Sequence, residues 1–363
     1  NDWHLCKKGA TDIFIAFFEL GYYLLNENGK LGYITPNTYL KTKAGESLRN
    51  FIKFHQCLKT LIDFEHNQLF DNATTYSLIT ILDKNHKMRT FSLFKGDKEN
   101  INFIDEIDIE NLNKDNWILT SNDILKKLNE IERRGVPLGK IAKIHVGITT
   151  LADDYYIFKD PVIKGGYVEI KLKDGRTFQI ERKILRPIIK VSVLKNPNED
   201  QNRFIIFPYK KIGNKHFIIP ENELKEKYPK TYNYFKAIKN ILDARDKGKP
   251  NPVAWYAFGR SQGLDTSFGK KILTSPINLK PNFIVWEKEE YTFYAGYCIK
   301  YDGDLKLLAE YLNSSDMEFY INNISRNYQN NYKSFAKSFI EKFGIDNPIL
   351  INKHEQNRLL FQY

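Results

Sequence analysis

Asn28-Gly29-Lys30-Leu31-Gly32-Tyr33-Ile34-Thr35-Pro36 is the stretch on which the fold turns. Asn-Gly is a helix-stop and turn signal, Leu31 to Thr35 is a short, largely apolar run, and Pro36 cannot continue a strand ladder. Upstream, Ile13, Phe14, Phe17, Phe18, Leu20, Tyr23 and Leu24 recur at helical spacing. The segment from Asp12 to about Tyr23 therefore predicts a helix that delivers the chain into a buried strand. Downstream, the pattern predicts a helix over Arg49–Phe54 and strands over Leu58–Phe64, Tyr76–Leu82 and Met88–Phe94. Strands alternating with helices point to an α/β fold, and residues 12–95 predict one end of a doubly wound, Rossmann-like sheet whose opening strands are expected outside this sequence.

The chain has 363 residues, 42% of them apolar, with 22 Tyr and 25 Phe. That is enough for two or three domains with real cores, and it excludes disorder as the main state. No run approaches the roughly 18 to 20 apolar residues of a spanning helix, and Asn1-Asp2-Trp3-His4 has no signal-peptide shape, so the chain reads as cytoplasmic. Cys6, Cys57 and Cys298 are too few and too far apart for a zinc knuckle or a disulfide framework. The seven His share no metal-ligand spacing.

The acidic stretch Asp105–Glu110 and a polar helix over Ser121–Arg134, ended by Gly135-Val136-Pro137, read as a connector. This divides the chain into residues 1–104, a connector over 105–135, and a mixed α+β domain over 136–363. Before position 136 there are 18 basic and 19 acidic residues, and after it 37 and 25, so the formal charge of +11 resides in the second part. A basic domain makes double-stranded DNA the leading partner, because Lys and Arg displace counterions from phosphates. No membrane association is expected. In the second part, helices are expected over Asp304–Asn322 and Ser334–Phe343, and Gly165-Gly166 reads as a hairpin turn before Tyr167–Leu172.

Several side chains are candidates for chemistry. Phe70 lies in a loop before a strand, where an aromatic face either stacks on a base or covers the core. Arg260 and Gln262 follow Gly259 in a turn-like setting, and Arg and Gln are the side chains that read guanine and adenine in the major groove. Lys210 and Lys211, after Phe207-Pro208-Tyr209, interleave charge with aromatics, as does Tyr228-Pro229-Lys230, a pattern suited to phosphate contact or to snorkelling over a core. A metal-dependent nuclease would need carboxylates and a Lys around a cation, and Asp160 with Glu169-Ile170-Lys171 offers one such set. Glu223-Leu224-Lys225 repeats the spacing, as chance allows in a chain with 27% charged residues.

Taken in order, these segments resemble the C-terminal half of TaqI-like adenine-specific DNA methyltransferases, including those fused in type II restriction-modification enzymes. Asp12–Leu25 followed by Asn28–Asn37 is similar to the family segment after its catalytic Asn-Pro-Pro-Tyr motif. Leu69-Phe70-Asp71-Asn72-Ala73-Thr74-Thr75-Tyr76-Ser77 is similar to the segment whose aromatic stacks on a flipped adenine, which implies that role for Phe70. Pro137–Ile141, Val146-Gly147-Ile148-Thr149-Thr150, Lys183–Pro187, Trp255–Gln262, Lys271–Leu273, Tyr311–Ser314 and Lys333-Ser334-Phe335 follow the order of the family's target recognition domain.

By that resemblance residues 1–104 are the C-terminal part of a methyltransferase domain and residues 136–363 bind DNA, with Arg260 and Gln262 as readers, Lys210, Lys211 and Lys333 on phosphates, and Thr149 as a further contact. Neither the Gly-rich methyl-donor motif nor Asn-Pro-Pro-Tyr occurs in these 363 residues. The resemblance thus implies S-adenosylmethionine in the complete enzyme but no cofactor, and no methylation, by these residues alone; the missing parts, a nuclease domain among them in fused relatives, are expected upstream in the same polypeptide. A stand-alone DNA-specificity subunit is the alternative without catalysis.

Overall fold

In the computed structural model of the chain, the described residues are 3–6, 12–65, 67, 69–70, 76–113, 116–197, 199, 201–325 and 328–351. They form two compact units, Asn1–Glu132 and Arg133–Tyr363. Among them, no helix is long and apolar enough to cross a membrane.

The first unit runs α1 (Ile13–Leu24), β1 (Lys30–Pro36), α2 (Glu46–His55), β2 (Leu58–Asp63), β3 (Ser77–Asp83), β4 (Thr90–Gly96), β5 (Ile101–Asp108) and α3 (Asn122–Arg133). The five strands make one sheet in the order β1-β3-β2-β4-β5. β2 and β4 are parallel, and the other neighbours are antiparallel. β3 lies inside the sheet, with Leu78, Thr80 and Leu82 fully buried. α1 turns Ile15, Phe18 and Tyr22 inward, the i, i+3, i+7 face of a helix on a sheet. Glu19 on that helix is buried, but its carboxylate accepts the N–H groups of His4 (3.0 Å) and Leu5 (2.8 Å), so its charge is not stranded. Arg49 of α2 is buried too, and its Nη1 donates to the carbonyls of Tyr39 (2.6 Å) and Thr42 (3.0 Å), which fixes the turn between β1 and α2.

The helices and strands read between residues 12 and 95 stand where the periodicity put them, within a few residues, but β1, read as a buried strand, ends the sheet order and its residues are half-buried or exposed. The acidic stretch Asp105–Glu110 does not open a connector. Asp105–Asp108 belong to β5, opposite Thr90–Leu93 of β4. Ile107 points into the core while the carboxylates stay at an edge strand, where Asp105 also accepts the N–H of Asn122 at 2.9 Å.

The second unit is built from short strands: β6 (Lys143–Val146), β7 (Ile157–Lys159), β8 (Val162–Lys164), β9 (Tyr167–Lys171), β10 (Thr177–Glu181), β11 (Leu185–Lys190), β12 (Arg203–Ile206), β13 (Tyr209–Ile212) and β14 (Lys215–Ile218). α4 (Glu221–Lys227) and α5 (Pro229–Ala237) follow, then β15 (Lys271–Thr274), β16 (Ile284–Trp286), β17 (Thr292–Tyr294), β18 (Tyr297–Lys300), α6 (Leu305–Leu312) and α7 (Ser315–Ile324). The sheets are β10-β9-β8, β17-β11-β12-β7 and β16-β15-β18-β6, with β13 and β14 as a separate two-stranded ribbon. Gly165-Gly166 is the turn between β8 and β9, as read, with Gly165 at φ +60°. One core gathers Tyr156, Ile188, Ile205, Phe207, Tyr234, Phe235 and Phe258, and another gathers Ile189, Leu273, Trp286, Phe293 and Cys298.

Two expected helices are shorter than read. The helix over Asp304–Asn322 breaks at Asn313-Ser314: the Asn313 side chain pairs with both backbone groups of Phe283 (2.9 Å each), and Ser314 starts α7 by accepting the N–H of Met317. In Ser334–Phe343 only Lys337–Ile340 is helical, because Lys333–Ser334 pair with Ile277–Asn278 and the Phe335 N–H donates to Pro276 O at 2.8 Å.

Candidate nucleic-acid interface

In the second unit the segments Thr149–Leu151 and Gly259–Arg260 are drawn together. The Arg260 N–H donates to Thr149 O (3.1 Å) and the Gly259 N–H to Thr150 O (3.0 Å), a single antiparallel bridge. The approach requires glycine: a Cβ on Gly259 would stand 2.4 Å from Leu151 Cγ. Leu151 itself is held at φ +57° and is partly exposed, an uncommon conformation for a bulky residue. A cleft of about 540 Å³ opens here, lined by Leu151, Asp246, Lys249, Asn251, Arg260 and Ser261 among others.

A buried arginine holds this arrangement. Arg245 is 9% exposed, and its guanidinium donates to four main-chain carbonyls, those of Leu242, Thr150, Ala257 and Trp255, each at 2.9 Å. Asp246, Lys247 and Gly248 follow at φ +52°, +62° and +79°. This turn places the Asp246 carboxylate against Arg260, whose Nη1 donates to Oδ2 (3.1 Å) and Nη2 to Oδ1 (3.0 Å). Those hydrogen bonds hold the Asp246 carboxyl below the usual carboxylate range. Nη1 also donates to Gly259 O at 2.9 Å.

The other end of the segment, residues 268–270, is tied down by two lysines, Lys271 buried and Lys300 half-buried. The Lys271 Nζ donates to Gly269 O (2.9 Å) and Tyr291 O (2.7 Å), and the Lys300 Nζ to Phe268 O and to Lys270 O at 3.0 Å. Burial first, and the nearby Lys300 ammonium second, push Lys271 down to about 7.

The structure brings together part of what the sequence singled out. Arg260, Ser261 and Gln262 are exposed in succession, and the Gln262 amide makes no hydrogen bond among the described residues. Thr149 is half-buried at the bridge. The ribbon carrying Lys210 and Lys211 is moored beside this segment, since Asp265 accepts from the His216 N–H (2.7 Å) and contacts its ring Nδ1 (3.0 Å), and His216 is the cross-strand partner of Lys211. The Lys211 ammonium is exposed and has no ion pair among the described residues. Lys210 differs: it is engaged with Glu223 at 2.5 Å, and Glu223 also holds Lys227. Lys333 stands on another pairing, opposite Asn278. Phe70 is in the first unit, in a bend and 49% exposed; residues 71–75 of its segment lie outside the described residues.

The metal-site alternative is not assembled. Asp160 accepts from Asn202 at 2.9 Å, while Glu169, on a different sheet, is paired to Lys164 at 2.8 Å. Among the described residues no group of three His, Cys, Asp or Glu could hold a metal ion. Sequence reasoning missed Arg245, Asp246 and Leu151. The only local signal was the turn-rich run Asp246-Lys247-Gly248-Lys249-Pro250.

Comparison with known proteins places the chain. The family model described as Eco57I restriction-modification methylase matches residues 1–70. The type II restriction enzyme and methyltransferase RM.Eco57I of Escherichia coli is 33% identical over 274 residues, 70% of this chain and 27% of that protein. Over these regions the chain is similar to type II restriction-modification methylases. The type II methyltransferase M.BstVI of Geobacillus stearothermophilus is 22% identical over 96% of the chain and 64% of its own length. The chain thus spans under two thirds of either relative. Among solved structures, the type IIL restriction-modification enzyme MmeI in complex with DNA aligns over 90% of this chain and 40% of its own, with a TM-score of 0.51 and 11% identity, a likeness of fold.

Proposed function

We propose that this chain supplies sequence-specific recognition of double-stranded DNA to a type II restriction-modification enzyme that methylates adenine. In this reading the second unit is the target recognition domain and the first is the C-terminal part of the methyltransferase domain, with Phe70 stacking on the extruded base. The observation that carries it is the bridge between Thr149–Leu151 and Gly259–Arg260, braced by Arg245, which presents Arg260 and Gln262 to solvent beside the Lys211 ribbon in the half of the chain that holds the basic excess. Base contacts there would specify the site and lysines would set the register on the phosphates.

S-adenosylmethionine would be the methyl donor of the whole reaction. The residues present do not build its pocket, for no Gly-rich strand-to-helix turn occurs in the sequence. Nothing in the structure favours a nuclease built on Asp160, Glu169 and Lys171. The test is fluorescence anisotropy of the chain with duplex DNA across a salt series. A steep fall of affinity with salt is expected, and absence of binding at low salt would defeat the reading.

A further inference from the structure

We infer that Asp246 is a specificity-determining positioning residue, which fixes the Arg260 guanidinium so that its Nε and Nη2 edge is offered to the O6 and N7 of a guanine in the major groove. This deepens, and rests on, the DNA-recognition reading above.

The argument is a count of hydrogens. A guanidinium has five N–H bonds in a plane. The two on Nη1 go to Asp246 Oδ2 and Gly259 O, and one on Nη2 goes to Asp246 Oδ1. What is left is the Nε–H and the second hydrogen of Nη2, two parallel donors forming one fork. No group among the described residues accepts from it. A fork of two donors needs two adjacent acceptors. Of the four bases only guanine shows two in the major groove, whereas adenine sets a donor beside its N7, thymine has one acceptor and cytosine a donor. A phosphate also has two acceptors, but its negative charge would approach the carboxylate that holds the fork, and a neutral base edge meets no such repulsion.

The carboxylate is itself held. Asp246 sits at positive φ immediately after Arg245, whose four carbonyl contacts fix the turn, and Arg260 is fixed at its main chain by Thr149. The guanidinium is therefore ordered before DNA arrives, and little rotamer freedom remains to be lost on binding.

The experiment uses the whole chain and anisotropy with a duplex selected from random sequence, each guanine in turn replaced by 7-deazaguanine, which removes N7 and keeps base pairing. At one position the unaltered chain should lose about 5- to 150-fold in affinity. Arg260→Ala should be indifferent to 7-deazaguanine at that position. Asp246→Asn should discriminate less there and bind unrelated duplexes more tightly, because a negative charge has gone. An Asp246 that only supports the fold would instead weaken target and unrelated DNA alike, which would overturn the inference. A phosphate contact would show as equal loss on all sequences for Arg260→Ala with a salt slope lower by about one, and would overturn it too. If the unaltered chain binds no duplex, the recognition function itself fails; if it binds but no guanine depends on Arg260, this inference alone fails.

Discussion

Lys271 should make the stability of the second unit rise steeply with pH across the neutral to alkaline range. Its side chain is fully buried at the start of β15, and its ammonium, pushed down to about 7, meets two carbonyls and pairs with no carboxylate among the described residues. In the unfolded chain the same lysine titrates near 10.4. Between those values the unfolded state holds a proton that the folded state lacks, so raising the pH favours folding; below about 7 both states are protonated and the full penalty of a buried charge remains. Each unit of separation is worth about 1.4 kcal/mol, which gives a total of about 5 kcal/mol and a gain of about 2 to 3 kcal/mol from pH 7.5 to 9.5 for this one group. Urea unfolding of the unaltered chain and of Lys271→Met at several pH values in that interval measures it. The variant leaves Gly269 O and Tyr291 O without this donor, a constant offset, so the slopes and not the absolute values are compared. Two profiles that rise in parallel would falsify the assignment.

Arg245→Met should destabilise the unit by about 2 to 4 kcal/mol, because a buried group that serves four carbonyls is lost, and a urea midpoint lowered at unchanged slope checks it. The same variant should weaken DNA binding more than any single lysine replacement, read by anisotropy at a temperature where it is folded. Gly259→Ala drives a methyl to within 2.4 Å of Leu151 Cγ and should cost about 1 to 3 kcal/mol while loosening discrimination between duplexes. Lys211→Ala should lower the salt slope of binding by about one, and Lys210→Ala by less, since Lys210 is already engaged with Glu223. Equal slopes for those two variants would show that the Glu223 pair does not matter to binding.

Much of the first unit was legible because apolar spacing records burial directly. α1 buries Ile15, Phe18 and Tyr22 at the period of a helix, and β3 is a run that only a sheet interior accepts. The strand order was not legible, since β1 pairs with β3 over a separation of some fifty residues and nothing local encodes that choice. Asp105–Asp108 misled because charge suggests a connector, while an edge strand tolerates it equally well. In the second unit Arg260 and Gln262 were visible as residue types in a turn. Asp246 was not, because it meets Arg260 only through a backbone turn at positive φ. Arg245 and Lys271 look in the sequence like two more surface cations among 55. Their burial depends on carbonyls supplied by distant loops, which composition does not record.

The hydrogen bonds that Arg245 sends to residues 150, 242, 255 and 257 all end on carbonyl oxygens, and every amino acid carries a carbonyl. Such an anchor is indifferent to the side chains of the segment it grips. Residues at 255, 257 and 150 can be exchanged with no loss of its partners, so long as the main chain keeps its path. Under the proposed recognition role, different side chains at 260 and 262 then need no new scaffold. A loop built in this way can change the side chains it presents through folded intermediates.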